Sequence, residues 1–164
     1  MIKDSGERTE FQTGAVRDVQ YGKGRCDLLP LDVVSEFVPE EGGADDILRC
    51  IGDFQGCGLE LYLKIALDKF LENAEQYAGW ADMLLDVSVH YEEGCEKYSE
   101  NNWKMGIPCK VYINSAVRHL LKWYRGDDDE RHDRAFIWNI LGCWWTAKNM
   151  PALNEYKNLE ESVE

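Results

Sequence analysis

The residues richest in possible chemistry are two clusters of carboxylates, Glu92-Glu93-Gly94-Cys95-Glu96 and Glu130-Arg131-His132-Asp133. Spacings of i, i+1, i+4 and of i, i+3 put acids on one side of a helix, and two such helices can hold a divalent ion between them. Carboxylates are hard oxygen donors, suited to Mg²⁺ or Mn²⁺. The alternative for the first cluster is a solvated acidic face with a Glu93 to Lys97 ion pair, worth about 0.3–0.5 kcal/mol. Arg118-His119 can meet phosphate, because a guanidinium fork matches phosphate oxygens and an imidazole can donate or transfer a proton. A helix-surface Arg beside a packed His is the other reading of that pair. Lys23 and Arg25 stand in a glycine-rich opening where they can clamp an anion, although no GxxxxGK[ST] spacing is present. Asn139 lies two helical turns beyond His132 among aromatic residues; if buried, it needs hydrogen-bond partners, as a core amide or as a ligand contact.

Helices must position these groups. Residues 1–27 carry Gly14, Gly22 and Gly24 and read as an irregular arm, with neither helix nor strand pair, and with a possible phosphate-contacting loop. Residues 28–150 read as a helical domain and 151–164 as a tail. Pro30 opens a short helix through Phe37. Asp46 can cap a second helix through Phe54, and Leu59, Leu63, Ala66, Leu67, Phe70 and Leu71 form the expected core stripe of a third over 59–73. From Trp80 to about Asn101 the expected apolar stripe is Leu84, Val87, Tyr91, Cys95 and Tyr98, which leaves Glu92, Glu93, Glu96 and Lys97 on adjoining faces. Pro108 begins a helix stopped by Gly126, and Asp127-Asp128-Asp129 supplies an N-cap for a last helix to about Asn149. The expected fold is therefore all-α, a bundle of about five to six helices behind an irregular N-terminal segment.

Composition narrows the partners. The 164 residues suit one domain, and 31 acidic against 18 basic residues give a formal charge of −13. Such a charge repels a nucleic-acid backbone or an anionic membrane surface, yet remains compatible with a small phosphorylated substrate escorted by Mg²⁺. The six cysteines show no CxxC pair and no zinc spacing, which fits a reduced, cytoplasmic chain. No apolar run approaches the ~18 residues that span a bilayer, and no secretory leader opens the sequence.

The dipeptide His132-Asp133 invites comparison with HD phosphohydrolases, where a His, an HD pair and a later Asp hold a metal centre. No aspartate follows Asp133, and His119 precedes His132 by only 13 residues, so that reading is demoted. A broader set of blocks points elsewhere: Thr13-Gly14-Ala15-Val16-Arg17-Asp18, Gly22-Lys23-Gly24-Arg25, Asp27-Leu28-Leu29-Pro30, Tyr91-Glu92 with Lys97-Tyr98 and Asn101-Asn102-Trp103, Ser115-Ala116-Val117-Arg118-His119, and Asp129-Glu130-Arg131-His132 with Trp138-Asn139. In this order they resemble the phage-associated dATP/dGTP diphosphohydrolase family, itself similar to the MazG-type all-α nucleoside triphosphate pyrophosphohydrolases.

The resemblance implies a MazG-like bundle that cleaves (deoxy)nucleoside triphosphates, dATP and dGTP foremost, to monophosphate and pyrophosphate with Mg²⁺ or Mn²⁺. It implies a metal set of Glu92, Glu93, Glu96, Glu130 and Asp133, with Glu93 or Glu96 orienting the attacking water. Lys97, Arg118 and His119 would stabilise phosphate charge, Asn102, Trp103 and Asn139 would contact base or sugar, and Arg17, Lys23, Arg25 and His132 would complete the nucleotide site. Glu92, Lys97, Asp129, Glu130 and His132 belong to the phage pattern more clearly than Glu93, Glu96 or Asp133. A homo-oligomer, dimer or tetramer, in the host cytoplasm is expected by analogy. The non-enzyme alternative is a helical phage protein that binds a nucleotide or a host partner.

Overall fold

The computed structural model describes residues 6–157. Among them six α-helices dominate: α1 Leu31–Phe37, α2 Ala44–Cys57, α3 Leu61–Asn73, α4 Trp80–Lys97, α5 Cys109–Arg125 and α6 His132–Asn149. The all-α expectation and the helix count hold.

At the centre lies α6, which buries Ala135, Phe136, Ile137, Ile140, Cys143 and Ala147 and so meets neighbours on several sides. Its most extensive partner is α5, whose Tyr112, Ile113, Ala116, Val117 and Leu120 form the facing stripe. The approach is close because Gly142 has no side chain: a Cβ there would lie 2.5 Å from Tyr112 Cε1. On one flank α4 packs against α6; on another α3 does, and Phe70 joins Trp123 of α5 and Phe136 of α6 in one aromatic group. Helix α2 packs on α3, and α1 packs on α2. Gly126, at φ 82, ends α5 in the left-handed conformation that favours glycine.

Four local expectations change. The N-terminal segment is not wholly irregular: β1 Arg8–Glu10 and β2 Val16–Asp18 pair antiparallel, with Thr9 opposite Arg17. Side chains of the bundle supply what this short hairpin lacks. Asn102 Oδ1 accepts from Val16 N at 2.8 Å and Asn102 Nδ2 donates to Val16 O at 2.8 Å, as a third strand would. Helix α6 starts at His132, and the aspartates before it do not cap it; Asp127 is held by Arg125 and Asp129 accepts from His132. The buried face of α4 is Met83, Val87 and His90; of the expected stripe Val87 is buried and Tyr91 and Tyr98 are half-buried, whereas Met83 replaces Leu84, and Leu84 and Cys95 are exposed. The described part of the expected tail, residues 151–157, is packed: Asn154 donates to Gly58 O at 2.9 Å and Tyr156 sets its ring edge against Phe54. No described helix is long and apolar enough to cross a membrane.

Candidate active site

A cavity of about 300 Å³ opens between the hairpin, α4, α5 and α6. Five cationic side chains line it: Arg17 from β2, Lys23 just beyond, Lys97 at the end of α4, and Arg118 and Lys122 from α5. Two carboxylates, Asp18 and Glu130, share the wall. In a chain of charge −13 this local excess of positive charge marks an anion site. The remaining wall is largely aromatic, with Tyr91, Tyr98, Trp103 and Trp138. Such a surface suits a flat heterocycle.

Arg17 is the most constrained cation. Its guanidinium lies 5.2 Å from the ring centroids of both Tyr112 and Trp138, and its Nη2 donates to Asn139 Oδ1. Asn139 in turn donates to Ala135 O at 2.6 Å, so this buried amide anchors the arginine rather than standing as an open base contact. Burial pulls the Arg17 pKa down from its ordinary value, with the tyrosines and Asp18 acting the other way. Arg118 donates to Ser115 Oγ at 3.1 Å and Gln20 Oε1 at 3.4 Å, and its pKa is likewise lowered by burial. Among the described residues, Arg17 Nη1 and Arg118 Nη1 are buried donors with no hydrogen-bond partner. Two unspent donors on one cavity are what an anion with several oxygens would satisfy.

Glu130 Oε1 lies 3.4 Å from His119 Nδ1 and 3.5 Å from His132 Nδ1, and the two Nδ1 atoms are 3.0 Å apart. His132 Nε2 meets Asp129 Oδ1 at 2.7 Å. The pKa of His119 is depressed well below the usual imidazole value, by burial first and then by the neighbouring Arg118 and His132, which keeps that ring neutral. His90, its ring tilted against Trp138, is pushed down to about 4, chiefly by burial.

Of the residues singled out in the sequence, Arg17, Lys23, Lys97, Asn102, Trp103, Arg118, His119, Glu130 and Asn139 come together on this cavity. Others do not. None of Glu92, Glu93 and Glu96 lines the cavity: Glu92 and Glu96 are exposed on the far side of α4 from His90, and Glu93 is half-buried at the edge of the His90 face, near enough to act on His90 electrostatically. Among the described residues the metal-competent groups are His119 with Glu130 and His132, and Asp127 with Asp129 and His132. The expected five-carboxylate metal set is therefore not assembled. Asp133 belongs to a separate network, bonded to Arg131 at 2.6 and 3.0 Å and to the Tyr77 hydroxyl at 2.8 Å. Burial works to raise its pKa, but the Arg131 and Tyr77 bonds prevail and hold it down at about 2. His132 and Asp133 thus serve different places, against an HD-type centre. Arg25 is turned away from the cavity and paired with Asp27 at 2.5 Å. Asn102, with both amide groups bonded to Val16, positions the hairpin rather than reading a base.

Sequence reasoning passed over Gln20, His90, Tyr98, Ser115, Lys122 and Trp138 as site residues. Ser115, Tyr98 and Trp138 lay inside quoted blocks; nothing about Gln20 or His90 in one sequence distinguishes them from surface or core polar residues.

Residues 76–155 match the model of a family described as dATP/dGTP diphosphohydrolase, N-terminal. The match takes in α4, α5, α6 and their connections, and leaves outside it the hairpin that contributes Arg17 and the segment after it that contributes Lys23. No curated protein and no solved structure matches the chain.

Proposed function

We propose, from the premise that residues 76–155 belong to the dATP/dGTP diphosphohydrolase N-terminal family, that this cavity binds a purine deoxynucleoside triphosphate and hydrolyses it between the α and β phosphates. The observation that carries the reading is the convergence of Arg17, Lys23, Lys97, Arg118 and Lys122 on an aromatic-walled cavity. The cations offset triphosphate charge, and the unspent Arg17 and Arg118 donors gain partners as that charge shifts toward the leaving group. The purine lies against Tyr91, Trp103 or Trp138. Water oxygen attacks the α phosphorus, the bond from that phosphorus to the bridging oxygen breaks, and pyrophosphate departs. The water proton passes to a basic group of the wall, Glu130, Asp18 or neutral His119.

Mg²⁺ would supply charge neutralisation if it arrives on the triphosphate. The protein side does not fit an all-carboxylate cage, since Glu130 alone of the five expected ligands lines the cavity, and no step is routed through such an ion. The same misfit favours a second reading, a nucleotide-binding module without turnover. Homo-oligomerisation, as dimer or tetramer, belongs to the first reading by analogy and is checked by light scattering.

Product analysis separates the readings. Incubated with a panel of NTPs and dNTPs plus Mg²⁺ or Mn²⁺, the purified protein should release monophosphate and pyrophosphate. Tripolyphosphate would point to HD-type chemistry, and tight binding without turnover to the module. Arg17→Lys and Arg118→Lys should each lower kcat/KM by about 10–100-fold, the worth of a charge-assisted bond. Glu92→Gln and Glu96→Gln should leave the rate unchanged, and Glu130→Gln should abolish it.

A further inference from the structure

We infer that His119, Glu130 and His132 form a site for a divalent first-row transition-metal ion, with its open positions facing the cavity. The argument is geometric. Ligand atoms about 2.1 Å from one ion and subtending 90–110° at it lie roughly 3.0–3.4 Å from one another. His119 Nδ1, His132 Nδ1 and Glu130 Oε1 are separated by 3.0, 3.4 and 3.5 Å. An ion some 2.1 Å from all three atoms therefore fits just off their plane at the separations present.

Three further observations point the same way. First, His132 Nε2 donates to Asp129 Oδ1 at 2.7 Å, which leaves its Nδ1 lone pair directed at the other two ligands. Metal-binding histidines almost always give their second ring N–H to a carboxylate or carbonyl in this manner. Second, His132 is fully enclosed whereas His119 and Glu130 line the cavity, with side chains 13% and 11% exposed. The triad closes one side of an ion and leaves the other to water or substrate, as sites that do chemistry require. Third, an N₂O set is borderline in softness; imidazole favours Zn²⁺, Fe²⁺, Co²⁺ or Ni²⁺, whereas Mg²⁺ prefers an all-oxygen shell.

The neighbouring group of Asp127, Asp129 and His132 is the weaker place for the ion. Asp127 is already held by Arg125 through bonds of 2.7 and 2.5 Å, and it shares no wall with the cavity. The binding claim stands apart from the hydrolase reading; only the consequence that the ion faces the substrate rests on it.

Co²⁺ is the probe, because its visible absorption reports coordination directly. Metal-free full-length protein titrated with Co²⁺ should bind one equivalent and develop d–d bands, and Zn²⁺ should displace it. His119→Gln and Glu130→Gln should each remove the bands, with circular dichroism confirming an intact helical fold. Asp129→Asn should weaken binding about 10–100-fold. Glu92→Gln/Glu96→Gln and Asp127→Asn should bind Co²⁺ like the parent. No Co²⁺ binding by the parent protein, or binding that survives both His119→Gln and Glu130→Gln, overturns the inference. Turnover with Mg²⁺ in a protein that binds no Co²⁺ would refute the ion site and keep the hydrolase; Co²⁺ binding without turnover of any nucleotide would do the reverse.

Discussion

His90 and Asp133 are buried ionisable groups whose environments pull their protons in opposite contexts but with the same sign for stability. His90 is neutral in the fold, with its pKa down near 4 against the usual 6.5. Between those values the unfolded chain holds a proton that the folded chain does not, so stability rises with pH and is lost as pH falls from 6.5 toward 4. The loss is about 3 kcal/mol when complete. Asp133, held at about 2 against 3.8, adds a second loss of about 2 kcal/mol between pH 4 and 2. Thermal unfolding at pH 7 and pH 4.5 should therefore show a marked drop in Tm. In His90→Gln that drop should shrink, and an unchanged drop would place the acid sensitivity elsewhere. At this scale the sequence was uneven. Arg17, Lys97, Arg118 and Glu130 declared themselves by type, whereas Asp133 is spent on Arg131, two residues before it, and on Tyr77, a contact that depends on how α6 meets the turn before α4.

The hairpin is the element through which the cavity gains Arg17, and a few bonds hold it to the bundle. Asn102 accepts from Val16 N and donates to Val16 O, Asp18 N donates to Tyr98 Oη at 3.1 Å, Thr13 Oγ1 donates to Gly106 O at 2.6 Å, and Arg17 donates to Asn139. Asn102→Ala removes both polar partners of Val16, leaving its backbone groups unpaired at about 1–3 kcal/mol. The expected outcome is local: faster hydrogen exchange at Val16 and Arg17 and weaker nucleotide binding, with the Tm of the helical core little changed. Equal protection in parent and variant would show that the hairpin is held by other means. The strand pair was missed because three-residue strands carry too little alternation to register, and their third partner is a side chain, not a strand. The helices were legible, since Pro30, Pro108 and Gly126 punctuate them and apolar residues recur at three and four. The phase of α4 was not: Met83 and Leu84 are equally apolar, and only packing on α6 decides which is buried.

Over the whole molecule, the −13 charge and the cationic cavity oppose each other. A free triphosphate approaching from afar meets net repulsion, and attraction begins only within about a Debye length of the cavity, ~10 Å at 0.1 M salt. Raising ionic strength from low values should accordingly speed association of a fluorescent dNTP analogue in stopped flow, the opposite of ordinary electrostatic steering. A rate that falls with salt would show that the local field reaches beyond the acidic surface.

Taken by itself, the amino-acid sequence determined the helical class, the helix limits to within a few residues, the acidic character, and the residues able to carry phosphate chemistry. These depend on side-chain type and on spacing along one chain, which periodicity reports directly. Which candidates work together was decided by tertiary structure alone. Glu92 and Glu96 sit a turn from the cavity wall yet face solvent, whereas His119 and His132, on different helices, bring their ring nitrogens to 3.0 Å. Rotation of a helix about its axis and the crossing of α5 over α6 fix those outcomes, and both are set by long-range packing, not by local spacing.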